Sequence, residues 1–73
     1  MSEPLKVDTG SPKILFEIDQ WVAIVTLNDP ENRNPVGDDT RSALRRSIDR
    51  IVHDDEIRCL LLTGAGDAFC AGA

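Results

Sequence analysis

Apolar and polar positions change rhythm along the chain, and each change marks a different element. Ile14-Leu15-Phe16-Glu17-Ile18 and Val22-Ala23-Ile24-Val25-Thr26-Leu27 are apolar runs rich in β-branched residues, separated by Asp19-Gln20-Trp21. That pattern predicts a β-hairpin with a short connection. Pro30 removes a backbone donor and holds Asp29 extended, so the ladder stops at Asn28-Asp29-Pro30. Residues 28–37 hold three Asn, two Pro and one Gly, which predicts a loop built on side-chain-to-backbone turns. The rhythm then becomes helical, with Leu44, Ile48, Ile51 and Val52 at i, i+4, i+7 and i+8.

Gly37 is the expected N-cap of that helix, with Asp38 and Asp39 in the first turn, where carboxylates favour the positive end of the helix by about 0.3–1 kcal/mol each. Arg41, Arg45, Arg46, Asp49 and Arg50 fill the remaining circumference, and Asp49 is expected to pair with Arg45 or Arg46. His53 reads as a capping or solvated residue at the helix end, and 53–56 as an acidic return loop. A last strand is predicted over 57–63, of which Cys59 to Thr63 is expected to be buried on both faces. The element order is β-β-α-β, and a right-handed crossover would set the last strand parallel to the one before the helix. Residues 1–13 are polar, without period, and predict a mobile arm. Residues 14–73 form the folded part.

Composition narrows the function. Thirteen acidic against eight basic side chains give a net charge of −5, which argues against a nucleic-acid surface. Cys59 and Cys70 sit in no C-x-x-C or Cys/His arrangement, so reduced structural thiols are expected and no metal site. No stretch has the roughly 20 apolar residues of a membrane span, nor the apolar core of a signal peptide, so a cytoplasmic protein without a membrane span is expected.

Chemistry concentrates where the last strand ends, at Gly64-Ala65-Gly66 and then Phe69-Cys70-Ala71-Gly72-Ala73. A turn at the carboxyl end of a parallel strand leaves backbone N–H groups free of any ladder. Residues as small as Ala71, Gly72 and Ala73 let a ligand carbonyl or phosphate approach those groups. A dinucleotide fingerprint fails in detail, since Phe69 stands at its third glycine and no helical pattern follows.

Two motifs together carry a resemblance. Asn28-x-Pro30-x-x-x-Asn34 after a strand, and Thr63-Gly64-x-Gly66-x-x-Phe69-Cys70-Ala71-Gly72 after the next, stand in the order and separation found in the crotonase family of enoyl-CoA hydratases and isomerases. The chain resembles its amino-terminal part over roughly residues 14–73. The resemblance implies an α/β fold, a crotonase-like ββα spiral of which only the first β-β-α-β portion is present, since family members are several-fold longer. It implies an acyl-CoA substrate, with coenzyme A entering as part of that substrate and no permanently bound cofactor. By the same resemblance, Ala73 would supply one of two backbone N–H groups of an oxyanion hole. Ala71 would contact the adenine through its backbone. Asn32, Arg33, Pro35 and Gly72 would lie along the CoA, with Arg33 available to its phosphates. Asn34 matches the near-fixed family asparagine and is expected to cap backbone groups of its own loop, with direct ligand contact as the second reading, whereas Pro35 stands where many relatives have Ala. A homotrimer or paired trimers (a hexamer), with a place in fatty acid metabolism, is expected of the full-length enzyme.

The glutamates that act on water in the family lie downstream of this stretch, and Glu31 and Glu56 occupy no motif position. Seventy-three residues with one of two oxyanion donors and no base predict an inactive piece of an active enzyme. A reading from a different class is a non-catalytic, truncated product that binds a protein by docking its last strand on a sheet edge.

Overall fold

The computed structural model describes residues 3–70. Four strands and two helical segments follow in the order β1 (Leu5–Val7), β2 (Ile14–Asp19), β3 (Val22–Leu27), a 3-10 turn (Pro30–Asn32), α1 (Asp38–Val52) and β4 (Cys59–Gly64). The sheet order is β1-β2-β3-β4, with the first two pairings antiparallel and β3 to β4 parallel. The hairpin closes with Asp19 opposite Val22, so Gln20 and Trp21 form its turn, and Gln20 takes the positive φ of 58° that the turn requires.

Alternation in the hairpin decides the core. Ile14 and Phe16 of β2, and Ala23, Val25 and Leu27 of β3, point to one face and are buried with Ala43 of α1. Gly37 caps α1, its carbonyl accepting from the Arg41 N–H at 2.8 Å, while its own N–H donates to Thr40 Oγ1 at 3.1 Å. At the other end the backbone N–H of His53 reaches the Asp49 carbonyl at 3.2 Å. Its ring Nδ1 lies 2.7 Å from the same oxygen, which can only accept, so Nδ1 carries the proton. Among the described residues no helix is long and apolar enough to cross a membrane.

Four expectations are corrected. Leu5–Val7, assigned to a mobile arm, pair with Ile18, Glu17 and Phe16 as an edge strand; three residues are too few to show a period. The helix buries Thr40, Ala43 and Ser47, with Leu44 and Ile51 only partly covered and Ile48 and Val52 exposed. Small side chains face the sheet because they let the helix approach it closely, while Leu44 and Ile51 pack against the core and Ile48 and Val52 turn to solvent. Arg46 donates to the Thr9 carbonyl at 3.2 Å, and among the described residues neither it nor Arg45 pairs with Asp49. Lastly, β4 is not buried: Leu60, Leu61 and Leu62 are 40–52% exposed. Because α1 packs over β2, the sheet edge beyond β3 is uncovered on both faces among the described residues.

Candidate functional site

The parallel pairing of β3 and β4 delivers two loops to the same end of the sheet. Leu27 is opposite Gly64 in the register, so the chain leaves β3 into 28–37 beside the point where it leaves β4 into 65–70. The Ala65 N–H donates to the Leu27 carbonyl at 2.9 Å, extending the pairing by one residue past Gly64.

Asn28 is anchored to the turn that leads into β2, its N–H donating to the Lys13 carbonyl at 2.7 Å and its Nδ2 to the Pro12 carbonyl at 3.0 Å. Asp29 then organises the turn. Its carbonyl accepts from the N–H groups of Asn32 and Asn34, at 3.1 and 2.8 Å, and its Oδ1 accepts from Asn32 Nδ2 at 3.0 Å. Lys13 Nζ stands 3.8 Å from Asp29 and 3.9 Å from Asp39, a weak bridge between the loop and the start of α1.

Asn34 joins the two loops. It is 1% exposed, its Oδ1 accepts from the Asp29 N–H at 2.7 Å, and its Nδ2 donates to the carbonyls of Ala65 and Ala68 at 2.9 and 2.7 Å. The amide is thereby used on both sides within the protein, and only an amide of this length supplies one acceptor and two donors at once. Gly66 completes the contact. Its φ of +77° favours glycine, and a Cβ there would meet Pro30 Cβ at 2.8 Å.

The other predicted residues fall around this clamp. Asn32 ends the 3-10 turn and is exposed. Arg33 follows in the left-handed region at φ 63°, its N–H bonded to the Pro30 carbonyl at 3.1 Å, with its side chain exposed. Among the described residues its guanidinium has no ion-pair or hydrogen-bond partner, so its charge is available to a ligand. Pro35, half-buried, fixes the chain just after Asn34. Cys70 packs against the core, whereas Phe69 is 53% exposed. Ala71, Gly72 and Ala73, the expected backbone donors, lie outside the described residues.

Asn34 was expected to bond within its own loop, and it does through Asp29. Its bonds to Ala65 and Ala68 span 31 and 34 residues, and no local pattern encodes them. Lys13 was not singled out either, because a single lysine before a strand has no distinctive spacing.

Residues 17–73 match the pattern of the family described as Enoyl-CoA hydratase/isomerase. The chain is 46% identical over 59 residues to a 1,2-epoxyphenylacetyl-CoA isomerase of Escherichia coli K12, covering 81% of this chain and 22% of that protein. It is 41% identical over 66 residues to the enoyl-CoA hydratase EchA19 of Mycobacterium tuberculosis H37Rv, covering 90% and 24%. A crystal structure of an enoyl-CoA hydratase/isomerase from Mycobacterium paratuberculosis superposes with a TM-score of 0.84 at 35% identity, over 90% of this chain and 26% of that one. The chain therefore spans about a quarter of the length of the relatives it matches.

Proposed function

The chain belongs to the enoyl-CoA hydratase/isomerase family, and on that premise we propose that its two clamped loops form the acyl-CoA half-site of such an enzyme. The fold is the first portion of the crotonase-like α/β spiral shared with the solved relatives. The observation that carries the proposal is the pair of Asn34 Nδ2 bonds to Ala65 and Ala68, which fasten the Arg33 loop to the turn leading into 70–73. A ligand lying across both loops would meet the free guanidinium at one end and small-residue backbone at the other.

In this reading Arg33 binds a CoA phosphate, bidentately where geometry allows. Asn32 and Pro35 shape the wall along the nucleotide, and Ala71 and Gly72 let it approach the backbone. The Ala73 N–H would donate to the thioester oxygen as negative charge accumulates there in an enolate. One such donor contributes about 3–4 kcal/mol to the barrier reduction, because it is already oriented when the charge appears. The second donor and the acids acting on water belong to other parts of the enzyme, so the 73-residue chain by itself binds but does not turn over. The whole enzyme is proposed to be a homotrimer or hexamer acting on acyl-CoA.

Titrating the isotopically labelled chain with CoA tests this directly. Amide resonances of Arg33 and of 71–73 are expected to move together with one saturation curve, and Arg33→Gln to weaken binding about fivefold, roughly one surface charge-assisted contact. A folded chain in which neither set moves would overturn the half-site. Hydration of a short unsaturated acyl-CoA by the 73-residue chain would overturn the claim that it is only half.

The second reading, a strand-docking module, is favoured by one observation, the exposed edge and leucines of β4. A shift in elution volume on mixing with a full-length relative, without any CoA-dependent change, would favour it.

A further inference from the structure

A pair of arginines lies away from the two loops, between β1, the 8–11 turn and the middle of α1. Val7, Asp8, Thr9, Phe16, Arg46, Ser47 and Arg50 line a hollow of about 210 Å³ there. Arg46 and Arg50 are one helical turn apart, so both guanidinium groups reach the same side of α1. Like charges at this spacing repel, and the chain holds an excess of acids; even so, among the described residues no carboxylate forms an ion pair with either arginine.

Arg46 is held in place rather than left to wander. Its Nη1 donates to the Thr9 carbonyl at 3.2 Å, and the turn it crosses carries Gly10 at φ +85°, where a Cβ would collide with that nitrogen. Thr9 is itself fixed, 4% exposed, with its hydroxyl donating to the Ile14 carbonyl at 2.7 Å. One bond occupies one of the five guanidinium donors, leaving the rest of the fork for a ligand. Asp8, the acid in the wall, is turned to the backbone, its Oδ1 accepting from the Gly10 N–H at 2.9 Å. The floor is apolar, with Phe16 2% exposed and Val7 half-buried.

We propose that Arg46 and Arg50 bind a phosphate group in this hollow, the free ion or the phosphate of a small monoester whose apolar part rests on Val7 and Phe16. Two forks converging on one group supply the paired N–H donors that planar recognition of phosphate oxygens uses. The site shares no residue with the 28–37 and 65–73 loops, so it stands or falls independently of the acyl-CoA reading.

The test is an NMR titration of the chain, following the Nε–Hε resonances of the arginines at constant ionic strength, with inorganic phosphate and with phenyl phosphate as probes. The Arg46 and Arg50 signals are expected to move on one saturable curve, with Arg45 unmoved. Arg50→Gln should weaken binding at least fivefold without loosening the Thr9 turn, since only Arg46 is bonded to it, and Arg45→Gln should change nothing. Tighter binding of phenyl phosphate would identify a monoester, and equal binding the free ion. Non-saturable shifts, or equal losses in Arg45→Gln and Arg50→Gln, would reduce the effect to diffuse charge and overturn the site.

Discussion

Asn34 is the residue on which the arrangement of the two loops depends, because it satisfies one backbone donor and two backbone acceptors that lie on different segments. Removing its amide strands all three. Leaving such groups unpaired costs about 1–3 kcal/mol each in the buried limit, and partial rescue by water brings the expected total for Asn34→Ala to about 3 kcal/mol. A domain of this size holds only about 3–5 kcal/mol, so the variant should sit near its unfolding midpoint in water, as urea titration would read. Asn34→Asp asks a finer question. Its carboxylate would accept from Asp29 but face the Ala65 and Ala68 carbonyls, which disfavours the charged form and raises the folded-state pKa above the unfolded one. The stabilising contribution of the protonated acid is then present at low pH and lost as pH rises through the folded-state value. The deficit of Asn34→Asp against the parent should be smaller at about pH 4 than at about pH 7. The same urea titration measures it, and a pH-independent deficit would mean the amide donors contribute little.

At the scale of elements, α1 separates what local sequence dictates from what packing decides. Its start at Gly37, the acids after it and its length follow from the chain itself, as does the existence of the β2–β3 hairpin, because caps and alternation act between near neighbours. Which side of the helix meets the sheet does not follow. Leu44, Ile48, Ile51 and Val52 form an apolar stripe by spacing, yet only Leu44 and Ile51 pack against the core, and the most buried positions are Thr40, Ala43 and Ser47, whose small size matters only once the opposing surface is known. Substitutions should therefore contradict the hydrophobic stripe. Ala43→Leu is expected to destabilise by about 1–3 kcal/mol through overpacking. Val52→Ala, at a position 71% exposed, should cost at most about 0.5 kcal/mol. Equal costs would place the helix in another rotation. The candidate site divides the same way: the Asn-Pro loop and the glycine turn were legible as motifs, whereas the bonds that join them span more than thirty residues and were not.

For the 73-residue chain as a whole, the side of the sheet beyond β3 that is open among the described residues governs behaviour in solution. The three consecutive leucines of β4 bear no charge or proline among them, and such unguarded edges invite pairing with another strand. The chain should therefore self-associate at high concentration, and Leu61→Lys, which removes about 1.5 kcal/mol of buried apolar contact, should raise the concentration needed about tenfold in analytical sedimentation. No change would exclude this edge as the contact. The parallel pairing also has a bearing on synthesis. Strands β2 and β3 are adjacent in sequence and can zip as soon as both leave the ribosome, but β3 must wait for an entire helix before its next neighbour exists. Until translation has passed Ala68, the two hydrogens of the Asn34 amide have no carbonyls to meet. The nascent chain thus carries an unlatched loop through the whole time α1 is being made, and the latch closes only as the small-residue run comes out behind it.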